Sequence, residues 1–180
     1  MAVTCIFGMT NSGKSTLVQK TILPAVEKSI IFDVAHCFPG QRREPEMPPG
    51  GWPKGTLVML EEGREAQNRA LEACYQMATK SKGRFRIIFR PTRKVDRRKT
   101  FDRIIVTASV IGRSLAGRED KVLLVADEAD FVCSEHFQSS QLKHLVNMGR
   151  HDNVDSLFIA RNPGRIHSDI KTNASTVISF

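Results

Sequence analysis

The sequence predicts an α/β fold in which helices cover both faces of a mainly parallel sheet. Short apolar runs alternate with longer helical stretches along most of the 180 residues, a pattern typical of parallel strands joined by helices. A glycine-rich segment at residues 8–15 also separates the first apolar run from the first predicted helix. A chain of this length suits one domain, and we expect residues 1–180 to form it.

The first predicted elements are a strand, a helix and a second strand. Residues 3–7 are apolar and partly β-branched, as in a buried strand. Residues 14–27 have helical composition, and Pro24 must end or kink this helix near its last turn. Residues 29–32 are the second predicted strand. Asp33 follows it and either contacts nucleotide or water or simply ends the strand.

The middle of the chain begins with a long irregular loop. Residues 35–54 contain five prolines and three glycines, and loops of this length are usually functional or mobile. Trp52 within this loop either packs locally or contacts another subunit, and we favour local packing. Residues 56–60 predict a third strand, and residues 64–80 predict a helix with small and apolar residues for a buried face. Residues 84–89 predict a strand that an Arg-Pro pair stops.

The last third of the chain continues the alternation. Residues 96–115 predict a long helix, because Phe101 and the apolar residues that follow it lie on one side. Residues 122–126 are a fully apolar strand, and residues 134–148 predict a helix with Ser134 as its N-cap. The remaining predicted elements are strands at 156–160 and 176–180 and a short helix at 166–173.

The composition excludes several classes of protein. The chain is 41% hydrophobic and 26% charged, which is ordinary for a globular domain and unlike a collagen-like or disordered chain. No run of about 18 apolar residues predicts a transmembrane helix, and the first residues lack the basic region of a signal peptide. The cysteines lie far apart in the sequence and form neither a CxxC pair nor the spacing of a zinc site. We therefore expect buried free thiols at Cys5, Cys37, Cys74 and Cys133.

The glycine-rich segment fits the GxxxxGK[ST] phosphate-binding pattern without a mismatch. Its backbone N–H groups can wrap around phosphate oxygens, Lys14 reaches the β- and γ-phosphates, and Ser15 offers a hydroxyl to Mg²⁺. The predicted strand before it and helix after it are the context that the pattern requires. For Thr16 we favour packing over a second ligand contact. The predicted nucleotide-binding residues are Gly8, Met9, Thr10, Asn11, Ser12, Gly13, Lys14, Ser15 and Thr16.

Two acids follow the apolar strand at residues 122–126. Asp127 is the candidate for the Mg²⁺ shell, and Glu128 is placed to polarise a water for attack on the γ-phosphate. Adjacent carboxylates repel each other, and a bound cation relieves that repulsion. The pair favours NTP hydrolysis over phosphoryl transfer to a metabolite. The alternative is a solvated turn.

The positive charge is concentrated in one segment. Residues 82–103 contain ten basic and two acidic residues, so their balance equals the +8 net charge of the whole chain. A local basic patch indicates a polyanionic partner, and the alternative is a solvated loop and helix face. Arg90 either touches phosphate or begins this patch. The best candidates for contacts to a polyanion are Arg93, Lys94, Arg97, Arg98 and Lys99.

Together these features resemble the FtsK–HerA superfamily of ATPases. The resemblance rests on the phosphate loop, on the two acids after an apolar strand, and on a Gly-Arg-His turn at residues 149–151 that precedes another strand. Within the superfamily, the chain is most similar to the compact genome-packaging ATPases of tailless icosahedral viruses, many with an internal membrane. That family commonly ends the strand in Gln-Arg-Pro, and its Gln senses the γ-phosphate. Here the triplet is Arg161-Asn162-Pro163, so either Arg161 or Asn162 would replace the sensor.

The resemblance implies a P-loop NTPase of the ASCE, RecA/FtsK-like type, a three-layer sandwich that hydrolyses ATP with Mg²⁺ and moves double-stranded DNA. It implies a homo-oligomeric ring, usually a hexamer, that works with capsid or vertex proteins at a virion packaging vertex or in the host cytoplasm. Arg150 matches the family's trans-acting arginine, which would reach a neighbour's γ-phosphate. The alternative for Arg150 is a cation at a helix end. The basic segment would then hold the DNA backbone without reading sequence.

Three other functions stay open at this stage. A small nucleoside or nucleotide kinase fits the size, but the adjacent acids Asp127 and Glu128 argue against it. An assembly NTPase of the zonula-occludens-toxin type also resembles the superfamily, but usually carries a membrane span. A non-hydrolysing nucleotide switch would be largely unaffected by Glu128→Gln, whereas a motor would stop. ATP rather than GTP is the default, because no guanine-reading NKxD element follows the later strands.

Overall fold

The computed structural model describes residues 3–38, 41–42, 56–60, 63–80, 85–115, 121–136 and 139–180. Most of its strands and helices follow the predicted order. A short strand at Gln41–Arg42 lies within the loop predicted at residues 35–54, and the strand at Phe85–Pro91 includes Arg90 and Pro91, the residues predicted to stop it. In chain order the strands and helices are β1 (Val3–Phe7), α1 (Lys14–Leu17), β2 (Lys28–Phe32), β3 (Gln41–Arg42), β4 (Thr56–Leu60), α2 (Arg64–Lys80), β5 (Phe85–Pro91), α3 (Arg97–Ser114), β6 (Val122–Ala126), α4 (Ala129–Val132), α5 (Ser140–Met148), β7 (Val154–Ala160), α6 (Ser168–Asn173) and β8 (Thr176–Ser179).

The eight strands within these ranges form one sheet in the order β3-β4-β5-β2-β6-β7-β1-β8. Every pairing between neighbouring strands is parallel. Parallel strands end at a common edge, so the segments that follow β1, β2, β5, β6 and β7 meet there. Because β7 lies between β1 and β6, the glycine-rich segment comes close to the acids that follow β6. The predicted α/β class is confirmed.

Alternate residues of the central strands point to opposite faces of the sheet. On one face a large apolar cluster packs the sheet against α2 to α6, with Phe101 of α3 at its centre among fully buried side chains. On the other face a smaller cluster packs Ile6 against Val18 and Leu23, which lie in the segment after α1. Helical segments therefore cover both faces, and most of those in the described ranges lie on one.

The first predicted helix changes its winding along its length. Lys14–Leu17 is α-helical, Val18–Ile22 forms a wider π turn, and Leu23–Ala25 closes it as a 3₁₀ turn. Pro24 lies in this last turn, where its missing N–H group and its ring prevent further helix. The prediction that Pro24 ends the helix is confirmed.

The structure corrects the start of the helix predicted at residues 134–148. α5 begins at Ser140, and Ser139 is its N-cap because the Ser139 hydroxyl accepts a hydrogen bond from Leu142 N at 3.1 Å. Ser134 is instead extended and forms an isolated bridge with Ile166. A short helix that the sequence analysis did not predict, α4, lies between the two acids and this bridge.

Several expectations fall outside the described residues. They include the local packing of Trp52 and the two basic residues of the charged segment at 82 and 84.

Within the part of the chain that is described, no helix combines the length and the apolar character needed to cross a membrane. The thiols of Cys5, Cys74 and Cys133 are buried and unpaired, as expected.

Candidate functional site

A cavity of about 440 Å³ opens at the edge of the sheet where β1, β6 and β7 end. Its walls include residues 10–16, the acids Asp127 and Glu128, and Arg161 from the end of β7. The structure therefore brings together the two motifs that the sequence analysis assigned to nucleotide and metal. Thr16 is exposed and lines the cavity, so the packing role favoured for it is wrong.

The glycines of the loop satisfy two geometric needs. Gly13 has φ 95°, a left-handed conformation that strains a residue with a Cβ atom, and it directly precedes α1. Gly8 is buried, and the side chains of Ser12 and Phe180 lie close to its Cα atom. A Cβ atom there would lie 2.7 Å from Ser12 Oγ and 2.9 Å from Phe180 Cβ. The tight loop thus leaves its backbone and the N-terminus of α1 facing the cavity, as an anion site requires.

Lys14 lies against the loop that it follows. Its Nζ donates hydrogen bonds to the carbonyl oxygens of Gly8 at 2.6 Å and Met9 at 2.7 Å. These bonds hold the ammonium group at the loop and give the cavity a fixed positive charge on the β1 side. The Met9 side chain is exposed, and this predicted binding residue does not line the cavity, although its carbonyl oxygen accepts the hydrogen bond from Lys14.

Asp127 is a buried carboxylate in need of a cation. Its side chain is almost fully buried, and its Oδ2 has no hydrogen-bond partner among the described residues. Burial raises the pKa of Asp127 to about 7, and the nearby charges of Asp33 and Glu128 add to the shift. A positive ion would stabilise the ionised form against all three effects.

The donor set fits Mg²⁺ shared with phosphate. Mg²⁺ commonly binds one or two carboxylates together with substrate phosphate oxygens rather than an all-protein cage. In the described ranges, no group of three or more acidic, histidine or cysteine side chains is spaced to hold a metal ion. Asp127 and Ser15, which line the same cavity, are therefore suited to a shared site and not to a closed one.

Glu128 is held by an arginine from a neighbouring strand. Arg161 donates to Glu128 Oε1 from one terminal nitrogen at 2.8 Å and from Nε at 3.3 Å. The hydrogen bonds and the negative charge of Glu128 raise the pKa of Arg161. The guanidinium carbon also lies 5.9 Å from the centre of the Phe131 ring. Glu128 Oε2 lacks a hydrogen-bond partner among the described residues, which leaves one carboxylate oxygen for another group.

Arg161 and Asn162, the two candidates for the γ-phosphate sensor, lie in different surroundings. Arg161 lines the cavity and bonds Glu128. Asn162 is exposed, and its Oδ1 accepts a hydrogen bond from Gly164 N at 2.7 Å, which caps the turn Pro163–Arg165. Of the two side chains, only Arg161 therefore faces the candidate site.

The structure corrects the roles expected for Arg90 and Asp33. Arg90 Nε bonds the fully buried carboxylate of Asp33 at 2.8 Å, and Arg90 also donates to the carbonyl of Phe38. Asp33 accepts hydrogen bonds from the backbone N–H groups of Cys37 at 2.8 Å and Phe38 at 3.3 Å. Arg90 is thus neither a phosphate contact nor the start of a solvated patch. The buried pair instead fixes the loop that follows β2.

Cys37 is the exception among the cysteines. It is exposed and lines the cavity, because the turn anchored by Asp33 brings it to the mouth. Gln19 Nε2 donates to the Cys37 carbonyl oxygen at 2.8 Å, which ties this turn to the segment after α1. The expectation of a buried thiol at this position is wrong. Spacing alone could not reveal it, since the contact joins residues 18 apart in sequence.

Arg150 lies in a turn that the surrounding helices hold firmly. The side chain is exposed, just beyond α5. Two residues later, buried Asp152 bonds His144 Nε2 at 2.7 Å and Arg113 at 2.9 Å. A Cβ atom at Gly112 of α3 would lie 2.1 Å from the Asp152 carbonyl oxygen, so glycine there permits the close packing.

The part of the basic segment that carries the predicted DNA contacts, residues 93–99, follows the carboxyl end of β5, on the same edge of the sheet as the cavity. Arg93, Lys94 and Lys99 are exposed, and Arg97 is partly exposed. Arg98 is also exposed, and it donates to the Phe131 carbonyl oxygen at 3.4 Å and to Ser134 Oγ at 3.0 Å. Not all of the basic run is a surface patch. Half-buried Arg86, for example, donates to the Leu23 carbonyl oxygen at 2.7 Å.

Solved structures show which fold this is. The genome-packaging NTPase B204 of Sulfolobus turreted icosahedral virus 2, solved with ATP-γS, has a TM-score of 0.66 and 13% identity, with 99% of this chain and 74% of that chain covered. The DNA-packaging ATPase B204 of Sulfolobus turreted icosahedral virus has a TM-score of 0.64 and 14% identity, with 99% and 75% covered.

The cytoplasmic domain of EssC is a third neighbour. Its TM-score is 0.52 at 15% identity, with 99% of this chain and 30% of that chain covered. No family model and no curated protein sequence matches the chain. The expected resemblance is therefore confirmed at the level of the fold, which is that of the B204 ATPases.

Proposed function

We propose that this chain is an ATP-hydrolysing motor that translocates double-stranded DNA, in the packaging of a viral genome. The observation that carries the proposal is the meeting of the loop around Lys14 with Asp127 and Glu128 in one cavity. The printed function of the B204 neighbours, genome or DNA packaging, supports the choice of DNA as cargo. Residues 93–99 of the basic segment lie on the same edge of the sheet as the cavity, so a change in the bound nucleotide can alter their position.

The roles in the cavity follow from position and chemistry. The loop backbone and Lys14 bind the triphosphate, while Ser15 and Asp127 hold Mg²⁺. A Mg²⁺ ion held by these residues would neutralise the negative charge that develops on the phosphate oxygens. Glu128 accepts the proton of the attacking water at the oxygen that the protein leaves without a hydrogen bond.

Arg161 is a positioning residue for Glu128 in this proposal. Its two hydrogen bonds to Oε1 fix the orientation of the Glu128 carboxylate, whose buried Oε2 has no hydrogen-bond partner among the described residues. In this proposal Arg161 takes the position at the end of β7 where the family pattern has its glutamine. Asn162 takes no part, because its side chain caps a turn.

Short contacts connect the cavity to the basic segment. Arg161 bonds Glu128, its guanidinium carbon lies 5.9 Å from the centre of the Phe131 ring, and the Phe131 carbonyl oxygen accepts a hydrogen bond from Arg98 at 3.4 Å. α4, which carries Phe131, starts directly after Glu128. A movement of Glu128 during the ATP cycle would thus displace the start of α3, where the predicted DNA contacts lie. This route is the proposed link between hydrolysis and DNA movement.

The assembly and its location also belong to the proposal. We infer a homo-oligomeric ring, with the hexamer as the working model, in which the exposed Arg150 of one subunit reaches the γ-phosphate of the next. The motor would work with capsid or vertex proteins, at a packaging vertex of the virion or in the host cytoplasm. The kinase alternative requires an acceptor pocket, and the placement of Glu128 in the cavity favours hydrolysis instead.

The rate of ATP hydrolysis by the Glu128→Gln variant tests the proposed ATPase activity. The amide cannot take a proton from water, so we expect turnover to fall at least about a hundredfold while ATP binding persists. Glu135→Gln, an exposed carboxylate removed in the same way, is the matched control and should hydrolyse ATP like the wild type. Equal turnover in Glu128→Gln and wild type would overturn the assignment. Turnover that requires a nucleoside acceptor would instead indicate a kinase.

A further inference from the structure

Phe180 is an exposed aromatic residue placed against the phosphate loop. Its N–H group donates to the carbonyl oxygen of Phe7 at 3.0 Å, which extends the pairing of β8 with β1 to the point where the loop begins. The side chain is 54% exposed. A Cβ atom at Gly13 would lie 4.0 Å from ring carbon Cε1 of Phe180, so the ring also reaches the N-terminus of α1.

The ring lies on the α1 face of the sheet. Ile178 packs against the apolar cluster on that face, together with Val18. Side chains two residues apart in a strand share a face, which places Phe180 on the same side as Ile178. The ring therefore lies beside the phosphate loop, on the face of the sheet that carries α1.

The order of the strands decides which part of a nucleotide meets the ring. Asp127 follows β6, two strand positions to one side of β1, and β8 is the next strand on the other side. A triphosphate whose terminal phosphate and cation lie by Asp127 extends along the loop toward β8. Its sugar and base then emerge on the side of Phe180, roughly 14 Å from β6 at ordinary strand spacing.

We propose that the Phe180 ring is the platform on which the base of a bound nucleoside triphosphate stacks. The inference rests on the proposed nucleotide-binding function of the loop, and it adds a base subsite that the phosphate motif does not define. Stacking on an aromatic ring is tolerant of base identity, because every base has a π face. The subsite should therefore accept both purines, and the chain should bind GTP nearly as well as ATP.

Comparing nucleotides with a base-free analogue tests this proposal. Calorimetry would measure the Kd of Mg-ATP, Mg-GTP and inorganic tripolyphosphate for wild type, Phe180→Leu and Phe180→Tyr. Leucine keeps an apolar side chain of similar size without a π face, and tyrosine keeps the ring. Phe180→Leu should bind ATP and GTP about tenfold more weakly, within the roughly 5- to 150-fold span of one stacking contact. Tripolyphosphate affinity should not change, and Phe180→Tyr should match wild type.

A fluorescence measurement on a second variant guards against a general loss of folding. The indole in Phe180→Trp should be quenched by ATP and not by tripolyphosphate. Val177→Ala removes another exposed apolar side chain of β8 and should bind every ligand like the wild type.

Three outcomes would overturn the proposal. Unchanged ATP affinity in Phe180→Leu would mean that the base does not touch the ring, and a simultaneous change in oligomer mass would assign the ring to a subunit contact. Equal weakening of ATP and tripolyphosphate would mean that the ring supports the loop. Binding of neither ligand by the wild type would reject the nucleotide site itself, which separates that failure from failure of the base subsite.

Discussion

At the scale of single residues, the Glu128 carboxylate depends on one partner that the sequence does not place beside it. Arg161 is 33 positions away and reaches Glu128 because β7 lies next to β6 in the sheet. Glu128 itself has φ 51°, a left-handed conformation that is unusual without glycine and turns its side chain away from the strand direction. Such strain is retained where the surrounding structure enforces it.

Arg161→Ala should slow ATP hydrolysis with little effect on ATP binding. Loss of both hydrogen bonds lets the Glu128 carboxylate rotate, and we expect kcat to fall about ten- to a hundredfold. Steady-state kinetics would measure kcat and KM separately. Arg165→Ala, which removes an exposed arginine from the adjacent turn, should be neutral. A fall in binding alone would make Arg161 a phosphate ligand instead.

The carboxylate of Asp152 stabilises the turn that carries Arg150, and its effect depends on pH. Burial alone would raise the pKa of Asp152, but the hydrogen bonds from His144 and Arg113 outweigh it and leave the pKa lowered. A group with a lowered pKa stabilises the fold above its unfolded value of about 3.9. That contribution is lost as the pH falls through the lower, folded value.

Asp152→Asn should therefore be less stable than the wild type by about 1–3 kcal/mol at pH 7. The difference should be smaller at about pH 3, below the unfolded value of about 3.9, because the unfolded chain binds a proton there more readily than the folded carboxylate with its lowered pKa. Urea unfolding at both pH values measures it, with Glu135→Gln as a control for the loss of an exposed carboxylate. A difference that stays constant with pH would show that the charge of Asp152 is not what holds the turn.

At the scale of the elements, α3 joins the two halves of the proposed mechanism. Asp96 caps its N-terminus by accepting hydrogen bonds from the backbone N–H groups of Arg98 and Lys99. The first turn of α3, with its basic side chains, follows β5 on the edge of the sheet at which the cavity opens. Its other end packs on the Arg150 turn through Gly112 and Arg113. One helix of 18 residues thus carries predicted DNA contacts in its first turn and packs at its other end on the turn that contains Arg150.

Replacing Arg97 and Arg98 with alanine should weaken DNA binding and flatten its dependence on salt. Each lost phosphate contact lowers the slope of log affinity against log salt by about one. Binding of a double-stranded oligonucleotide at several salt concentrations would measure the slope. The charge-matched control is the double replacement of Lys20 and Lys171, both exposed and on other elements. An unchanged slope would remove the first turn of α3 from the DNA surface.

The sequence predicts the elements and motifs whose causes are local. β1, β4, β6 and α2 have their predicted bounds, because apolar patterning and helix composition are properties of short segments. The Lys14 loop and Asp127 are predicted for the same reason. The Asp33–Arg90 pair, the Arg161–Glu128 contact and the exposure of Cys37 arise from strand order, which single-sequence patterns do not specify. The start of α5 was missed because Ser134 and Ser139 are both chemically suitable caps.

At the scale of the whole molecule, the proposed trans role of the exposed Arg150 predicts a site that a neighbouring subunit completes. Mixing Arg150→Ala with Glu128→Gln tests this, because each variant retains the group that the other lacks. If Arg150 acts in trans, mixed assemblies contain intact interfaces, and ATP hydrolysis should recover above the sum of the two separate variants. Colorimetric phosphate release would measure it. If the assemblies contain both variants and ATP hydrolysis does not recover, Arg150 does not act in the neighbour's site.

The measurement that tests the central claim most directly is the rate of ATP hydrolysis by the wild-type chain as double-stranded DNA is added. The basic segment and the cavity share one edge of the sheet and are joined through Arg98, Phe131 and Arg161. A motor built in this way should hydrolyse ATP faster as DNA is added, with the rate reaching a plateau when the DNA surface is filled. A rate that is the same with and without DNA would contradict the translocating motor.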